Sequence, residues 1–212
     1  MLDARGDLRA ALAMLATATL FTALVWADPT HPQNLAPIDT WWHDLVVAPG
    51  SLGHAIARGL GVLGGDAVSF AVRAVVASWL AVRRRWRDLA IWVGASLVAD
   101  LLVAGLKGEV GRLRPDGSDL RSFPSGHAKY AGQIGVGVAL LVAPVTRHRS
   151  ALWGAAVGWI ALMAWSRTAL DVHHLSDTIA GALIGAGIML GVWGLAYGRV
   201  ASPAEPGADS PP

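Results

Sequence analysis

The chain has 212 residues, 54% of them hydrophobic and 15% charged, with a net charge of +2. Soluble domains carry about 25% charged residues, so this composition excludes an ordinary soluble domain, offers no footing for a nucleic-acid partner and points to a polytopic membrane protein. The absence of cysteine excludes both a disulfide framework and a thiolate nucleophile.

Six apolar segments approach the roughly 20 residues needed to cross a bilayer: 8–27, 67–82, 89–106, 128–145, 151–165 and 178–198. The fold class expected is therefore all-α, a six-helix transmembrane bundle forming a single domain over 1–200. The first span has a rival reading as a cleaved signal peptide, because "LVWADP" ends an apolar run on a small residue. Its apolar length exceeds the about 7–15 residues of a signal-peptide core, which favours a retained span.

Between the first two spans, Ile38, Trp41, Trp42, Leu45 and Val46 fall on one helical face, and Leu52, Ala55, Ile56, Leu60 and Leu63 repeat the pattern. Two short helices lying in the outer interface are expected. They serve as membrane anchors in the simpler reading, or as a wall over a lipid site. Gly64-Gly65 breaks the second helix, and Asp66 is placed to cap the next span. Arg73 and Asp100 each lie inside a span, where an unpaired charge is expensive, so an ion pair between them is expected.

Orientation follows from arginine, which collects in short cytoplasmic loops. "RRRWR" (83–87) joins spans two and three, and "RHR" (147–149) joins four and five, so both are expected inside, with Arg5, Arg9 and Arg199 in agreement. By parity, segments 28–66, 107–127 and 166–177 face outward. The pairs Gly154/Gly158, Gly181/Gly185, Gly187/Gly191 and Gly194/Gly198 are small-residue spacings that let helices approach closely. The tail 201–212, rich in Pro, Ala and Ser, is expected to be disordered.

Three polar clusters land on the outer side. "KGEVGRLRP" carries Lys107 and Arg114; "FPSGHA" carries Ser125, Gly126 and His127 at a helix start; "SRTALDVHHLSD" carries Arg167, His173 and Asp177. Singly, each has a bland reading: snorkelling cations, a helix amino-terminus, a structural His–Asp hydrogen bond. Together they supply three long cations, an N–H-rich turn, two histidines and a carboxylate. That inventory suits a phosphoryl group, whose oxygens guanidinium and ammonium groups hold.

Lysine, six residues, Arg-Pro; Pro-Ser-Gly-His; and Ser-Arg, five residues, His, three residues, Asp make the sequence similar to the type 2 phosphatidic acid phosphatase (lipid phosphate phosphatase) family. The motifs cover 107–177. The resemblance implies that His173 is the nucleophile forming a phosphohistidine, that Asp177 orients it, and that His127 is the general acid toward the leaving oxygen. Lys107, Arg114, Ser125, Gly126 and Arg167 are implied phosphate ligands. No metal or other cofactor is implied.

His174, out of register, is expected only to contact the site from behind. Arg112 and Arg121 fall outside the motif and serve a headgroup or merely solvate the loop. The activity implied is hydrolysis of a lipid phosphate or diphosphate at the outer face of the cytoplasmic membrane, with undecaprenyl diphosphate, phosphatidylglycerol phosphate and phosphatidic acid as candidate substrates. The partners implied are that substrate and membrane lipids; oligomeric state is left open. Vanadate-dependent haloperoxidases share the phosphate pocket but are soluble. Two rivals stand beside this reading: a lipid transporter or channel without hydrolytic activity, and a metal-dependent hydrolase using His173, His174 and Asp177 as ligands.

Overall fold

The computed structural model describes residues 4–28, 35–46 and 52–198; the tail 201–212, with its expected disorder, lies outside them, as does Arg199. Among the described residues every regular element is helical: α1 (Ala4–Ala27), α2 (Ala36–Val46), α3 (Leu52–Leu63), α4 (Asp66–Val82), α5 (Trp86–Val110), α6 (Gly126–Val142), α7 (Arg149–Ala169) and α8 (Leu175–Gly198), with a 3-10 turn at Ala143–Val145. Helices are the solution open to apolar runs like these, because in hydrocarbon each backbone N–H and C=O needs a partner within its own segment.

Four helical stretches are long and apolar enough to cross a membrane: Gly6–Ala27, Trp86–Val110, Gly126–Val145 and Leu175–Gly198. α4, with 17 residues, joins them only when combined with α3, from which it bends by 45°. α7 stands outside the set, its apolar middle bracketed by Arg149 and Arg167. Length and apolarity thus support four spans, or five with the bent pair, where the sequence pattern led to six. Leu12, Leu20, Phe70, Val75, Leu101 and Val157 are exposed on the bundle surface, the large apolar face expected of a protein solvated by lipid.

α8 is the central helix: 67% of its apolar window is buried, against 17% for α1. It packs on α1 along one side and on α6 along another. The core joins Ala11 and Ala18 of α1, Leu80 of α4, Trp92, Ala95 and Ala99 of α5, Leu140 of α6 and Met189 of α8. Small residues govern the α6–α8 seam. A Cβ at Gly181 would run into the Ser125 carbonyl, and one at Gly185 into the Lys129 carbonyl, so the two backbones touch. Gly187 and Gly191 face α1. Gly154 and Gly158 differ from expectation: a Cβ at either meets nothing within 4 Å, so they are surface positions and pack no helix.

The expected cap also differs. Gly65 is the N-cap of α4, with no side-chain cap bond, and Asp66 is the first helical residue, where its carboxylate still meets the positive end of the helix dipole. Arg73 and Asp100 do meet, at 2.7 Å, and Lys129 of α6 closes on the same carboxylate. One acidic group thus holds two cations from neighbouring helices, which accounts for three intramembrane charges at once.

Candidate active site

The three polar clusters come together at one end of the bundle, where α5 and α7 finish and α6 and α8 begin. The "RRRWR" and "RHR" segments lie at the opposite ends of those helices. Gly111 ends α5 in the left-handed region (φ 62°), a conformation glycine adopts without penalty, and the chain then turns back across the site. Two loops are stitched by their backbones: Arg114 N–H to Asp119 O (2.9 Å), Ser122 N–H to Arg112 O (3.0 Å), Asp116 N–H to Asp171 O (3.1 Å) and Ser125 N–H to Asp177 O (3.0 Å).

Asp177, in the first turn of α8, is fully buried. Its carboxylate accepts from the Ser122 hydroxyl, the His174 backbone N–H at 2.9 Å and Arg112 Nη1 at 2.5 Å. His173 Nδ1 faces the same group at 3.5 Å. That is long for a hydrogen bond, as catalytic contacts often are before substrate binds. With Nδ1 turned to Asp177, Nε2 is the imidazole atom left to act elsewhere. Burial pushes His173 below the ordinary histidine value; the Asp177 hydrogen bond and charge oppose this, and Lys107 and Arg114 reinforce it. His173 is therefore neutral at pH 7.

His127 lies in the first turn of α6, behind the Ser125 N-cap. Its Nε2 stands 3.4 Å from Arg167 Nη1. Arg167 ends α7 and is held by Ser166 Oγ at 3.1 Å, while Ser166 itself donates to the Ala57 carbonyl of α3 at 2.6 Å. Lys107 donates to the Arg121 carbonyl at 2.6 Å, and a Cβ on Gly126 would sit 4.0 Å from Lys107 Cε. Among the described residues the Arg114 guanidinium has only a loose contact with Asp119, at 3.8 Å. Five buried side-chain polar atoms lack a partner among the described residues, and three of them are Arg114 Nε, Ser125 Oγ and Arg167 Nε. Unpaired buried donors are rare and costly, so their convergence marks where an oxygen-rich anion fits.

The residues singled out in the sequence are thus brought together: Lys107 from α5, Arg114 from the following loop, Ser125, Gly126 and His127 from the head of α6, Arg167 from α7, His173 and Asp177 around the head of α8. Arg112 departs from expectation. It neither reaches outward nor solvates a loop, because it is 3% exposed and paired with both Asp39 and Asp177. The Arg121 side chain is exposed, and its carbonyl accepts from Lys107. His174 contributes its backbone N–H to Asp177, and burial lowers its ring pKa. Among the described residues, no cluster of three or more His, Asp and Glu is arranged to hold a metal ion; Asp177 is committed to Arg112, Ser122 and His174 instead.

α2 supplies what the sequence pattern missed. Its apolar residues Ile38, Trp41 and Leu45 are exposed, while its opposite face docks on the site: Asp39 to Arg112, Trp42 Nε1 to Thr168 Oγ1 at 2.8 Å, and His43 to Asp171 at 3.1 Å. α3 likewise turns Leu52, Ile56 and Leu63 outward and Ala57 and Gly61 inward. Most of each predicted apolar face therefore turns outward, Trp42 being the exception that turns in to Thr168, and both helices wall the site. The signal in the sequence was a carboxylate, Asp39, on the polar side of an amphipathic helix.

The PAP2 superfamily model matches residues 88–201, more than half of the chain. No curated protein matches by sequence. Among solved structures, the chain is similar to a transmembrane PAP2-type phosphatidylglycerolphosphate phosphatase from Bacillus subtilis, with a TM-score of 0.74 at 19% identity over 92% of this chain and 98% of that one. It is also similar to LpxE from Aquifex aeolicus, with a TM-score of 0.59 at 24% identity over 76% of this chain and 96% of that one.

Proposed function

This chain belongs to the PAP2 superfamily, and from that membership we propose that it is a membrane phosphatase releasing phosphate from a lipid phosphate or diphosphate through a phosphohistidine. The observation that carries the reading is the set of unpartnered buried donors on Arg114, Ser125 and Arg167, gathered beside His127 and His173. Lys107, Arg114, Arg167, Ser125 Oγ and the N–H groups of Gly126 and His127 at the α6 start hold the phosphoryl oxygens, where charge develops in the transition state.

His173 Nε2 attacks phosphorus, and the bond to the leaving oxygen breaks as His127 gives that oxygen its proton. Burial and the Arg167 charge hold the His127 pKa down to about 4 before substrate binds, so it is the anionic phosphoryl group that brings it to the protonated form. Water then attacks the phosphohistidine with His127 taking a proton from it, the P–N bond breaks, and inorganic phosphate leaves. Asp177 on Nδ1 keeps Nε2 free of its proton before attack and stabilises the cationic ring afterward.

Ala67, Val68, Ala71, Val72, Val75 and Val76 form an open apolar face on α4. Gly65, the N-cap of that helix, is where a Cβ would lie 3.8 Å from His127 Nε2, which supports a leaving group carrying a hydrocarbon chain. The arginine-rich loops lie at the other end of the bundle from the site, which supports a site on the non-cytosolic face of the cytoplasmic membrane. Substrate candidates are phosphatidylglycerol phosphate, the substrate named for the Bacillus subtilis fold neighbour, undecaprenyl diphosphate and phosphatidic acid.

The test is phosphate release by purified protein in detergent against those three lipids, with His173→Ala as control. The proposal expects release from at least one lipid and none with the variant. Release unchanged in His173→Ala would move the chemistry elsewhere; no release from any lipid would favour a transporter.

A further inference from the structure

The buried network behind the site reaches a residue far in sequence from every motif. Asp39 of α2 is 6% exposed, Arg112 3%, and Ser176 and Asp177 are fully buried. Asp39 Oδ1 accepts the Ser176 backbone N–H at 2.8 Å. Its Oδ2 accepts the Ser176 hydroxyl at 2.7 Å and Arg112 Nη2 at 2.9 Å. Arg112 Nη1 in turn donates to Ser176 Oγ at 2.6 Å and to Asp177 Oδ1 at 2.5 Å. One guanidinium thus bridges two buried carboxylates with the two arms of its planar fork, a geometry lysine cannot copy. Charges this deep are tolerated only when paired and hydrogen-bonded, and the two carboxylates share this one guanidinium, so each helps hold it where the other needs it.

We propose that Asp39 and Arg112 are positioning residues: the α2 carboxylate fixes the guanidinium, and the guanidinium fixes Asp177 in the orientation that aligns His173 for attack. This rests on the reading of His173 as nucleophile. α2 is thereby a structural member of the site, fastened at its flanks by Trp42 to Thr168 and His43 to Asp171.

The charged and titratable groups facing His173 are Asp177 of α8, Lys107 of α5, Arg114 and Asp116 of the α5–α6 loop, and His127 of α6. Arg112 reaches it through Asp177. Neutralising Asp39 adds net positive charge behind Asp177, so His173 gives up its proton more readily. Removing the Arg112 charge does the reverse.

The experiment compares full-length wild type with Asp39→Asn, Arg112→Gln and Arg112→Lys in detergent. It measures kcat, KM, the pH profile of kcat/KM and inhibition by inorganic phosphate. The inference expects kcat to fall about 10²-fold in Asp39→Asn, the scale of a misplaced catalytic group, with inhibition by inorganic phosphate retained as evidence of a folded pocket. The acid limb moves to lower pH in Asp39→Asn and to higher pH in Arg112→Gln, and Arg112→Lys recovers part of the loss.

Wild-type kcat and pH profile in Asp39→Asn would overturn the inference. So would losses of rate and of phosphate inhibition in step, with no movement of the acid limb, which is the signature of packing alone. A wild type inactive on every lipid phosphate overturns the functional reading and the inference with it, a result distinct from an active wild type with an unaffected variant.

Discussion

Gly61 of α3 lies against Arg167, and a methyl group there would overlap the guanidinium, with Cζ only 2.7 Å from the added carbon. Gly61→Ala therefore evicts the guanidinium from its present place. The obstacle is the far end of a flexible side chain rather than backbone, and Ala is favoured over Gly inside a helix by about 1 kcal/mol, so the fold should not suffer. What is lost is a charge-assisted hydrogen bond to a phosphoryl oxygen, worth about 1.5–3 kcal/mol. At about 1.4 kcal/mol per tenfold, that is roughly a 10- to 150-fold fall in kcat/KM. The assay is phosphate release from mixed micelles, with thermal unfolding in the same detergent. Gly59→Ala is the control, because a Cβ there meets nothing within 4 Å. Gly61→Ala with the kcat/KM of the control would refute the placement of Arg167 on the phosphate.

Other outcomes follow from the same geometry. Ser125→Ala removes a buried hydroxyl with no partner among the described residues, so the unfolding midpoint should hold while kcat/KM falls by about 2- to 12-fold, the worth of one neutral hydrogen bond. Because burial holds the His173 pKa below its ordinary value, the acid limb of kcat/KM should lie below about pH 6.5. The sign for stability agrees: the native state binds fewer protons than the unfolded chain, so this contribution is full above about pH 6.5 and is lost as pH falls through the lower native value. A stability measured to rise on acidification through that window, with His173→Asn unchanged, would contradict it. Asp100→Ala leaves Lys129 and Arg73 facing each other without their shared carboxylate. Discounted because Asp100 is 32% exposed, the cost should be about 2–3 kcal/mol, read as a lowered unfolding midpoint. Gly185→Leu should abolish folded protein, since its Cβ meets the α6 backbone at Lys129 and Gln133, whereas Gly154→Leu should be silent.

The sequence pattern was most informative where physics is local. Apolar length announces helices, and Lys107, Arg114, the Ser125–His127 turn, Arg167, His173 and Asp177 fall at spacings that place them at helix ends on one side. The ion pair of Arg73 with Asp100 could be anticipated because a lone charge in a span has no tolerable alternative. What periodicity could not supply was the direction of a face. α2 and α3 are amphipathic in the sequence, but in a lipid-solvated protein the apolar side turns outward, so Asp39 and Gly61 point at the site. Nor could spacing show that Arg112, two residues before Arg114, turns inward. That depends on Gly111 adopting the left-handed conformation and on a carboxylate arriving from α2. Lys129, hidden in a helix read as apolar, was missed for the same reason: its partner is on another helix.

The central claim is that the imidazole of His173 carries the phosphoryl group during turnover. It is tested most directly by mixing purified protein with a radiolabelled lipid phosphate, quenching in base within the first turnover and mapping the label by peptide. The account predicts acid-labile phosphate on the peptide containing His173, absent in His173→Ala and lost during the chase with water. Label on His127 instead, or undiminished turnover with no labelled enzyme at any quench time, would contradict it.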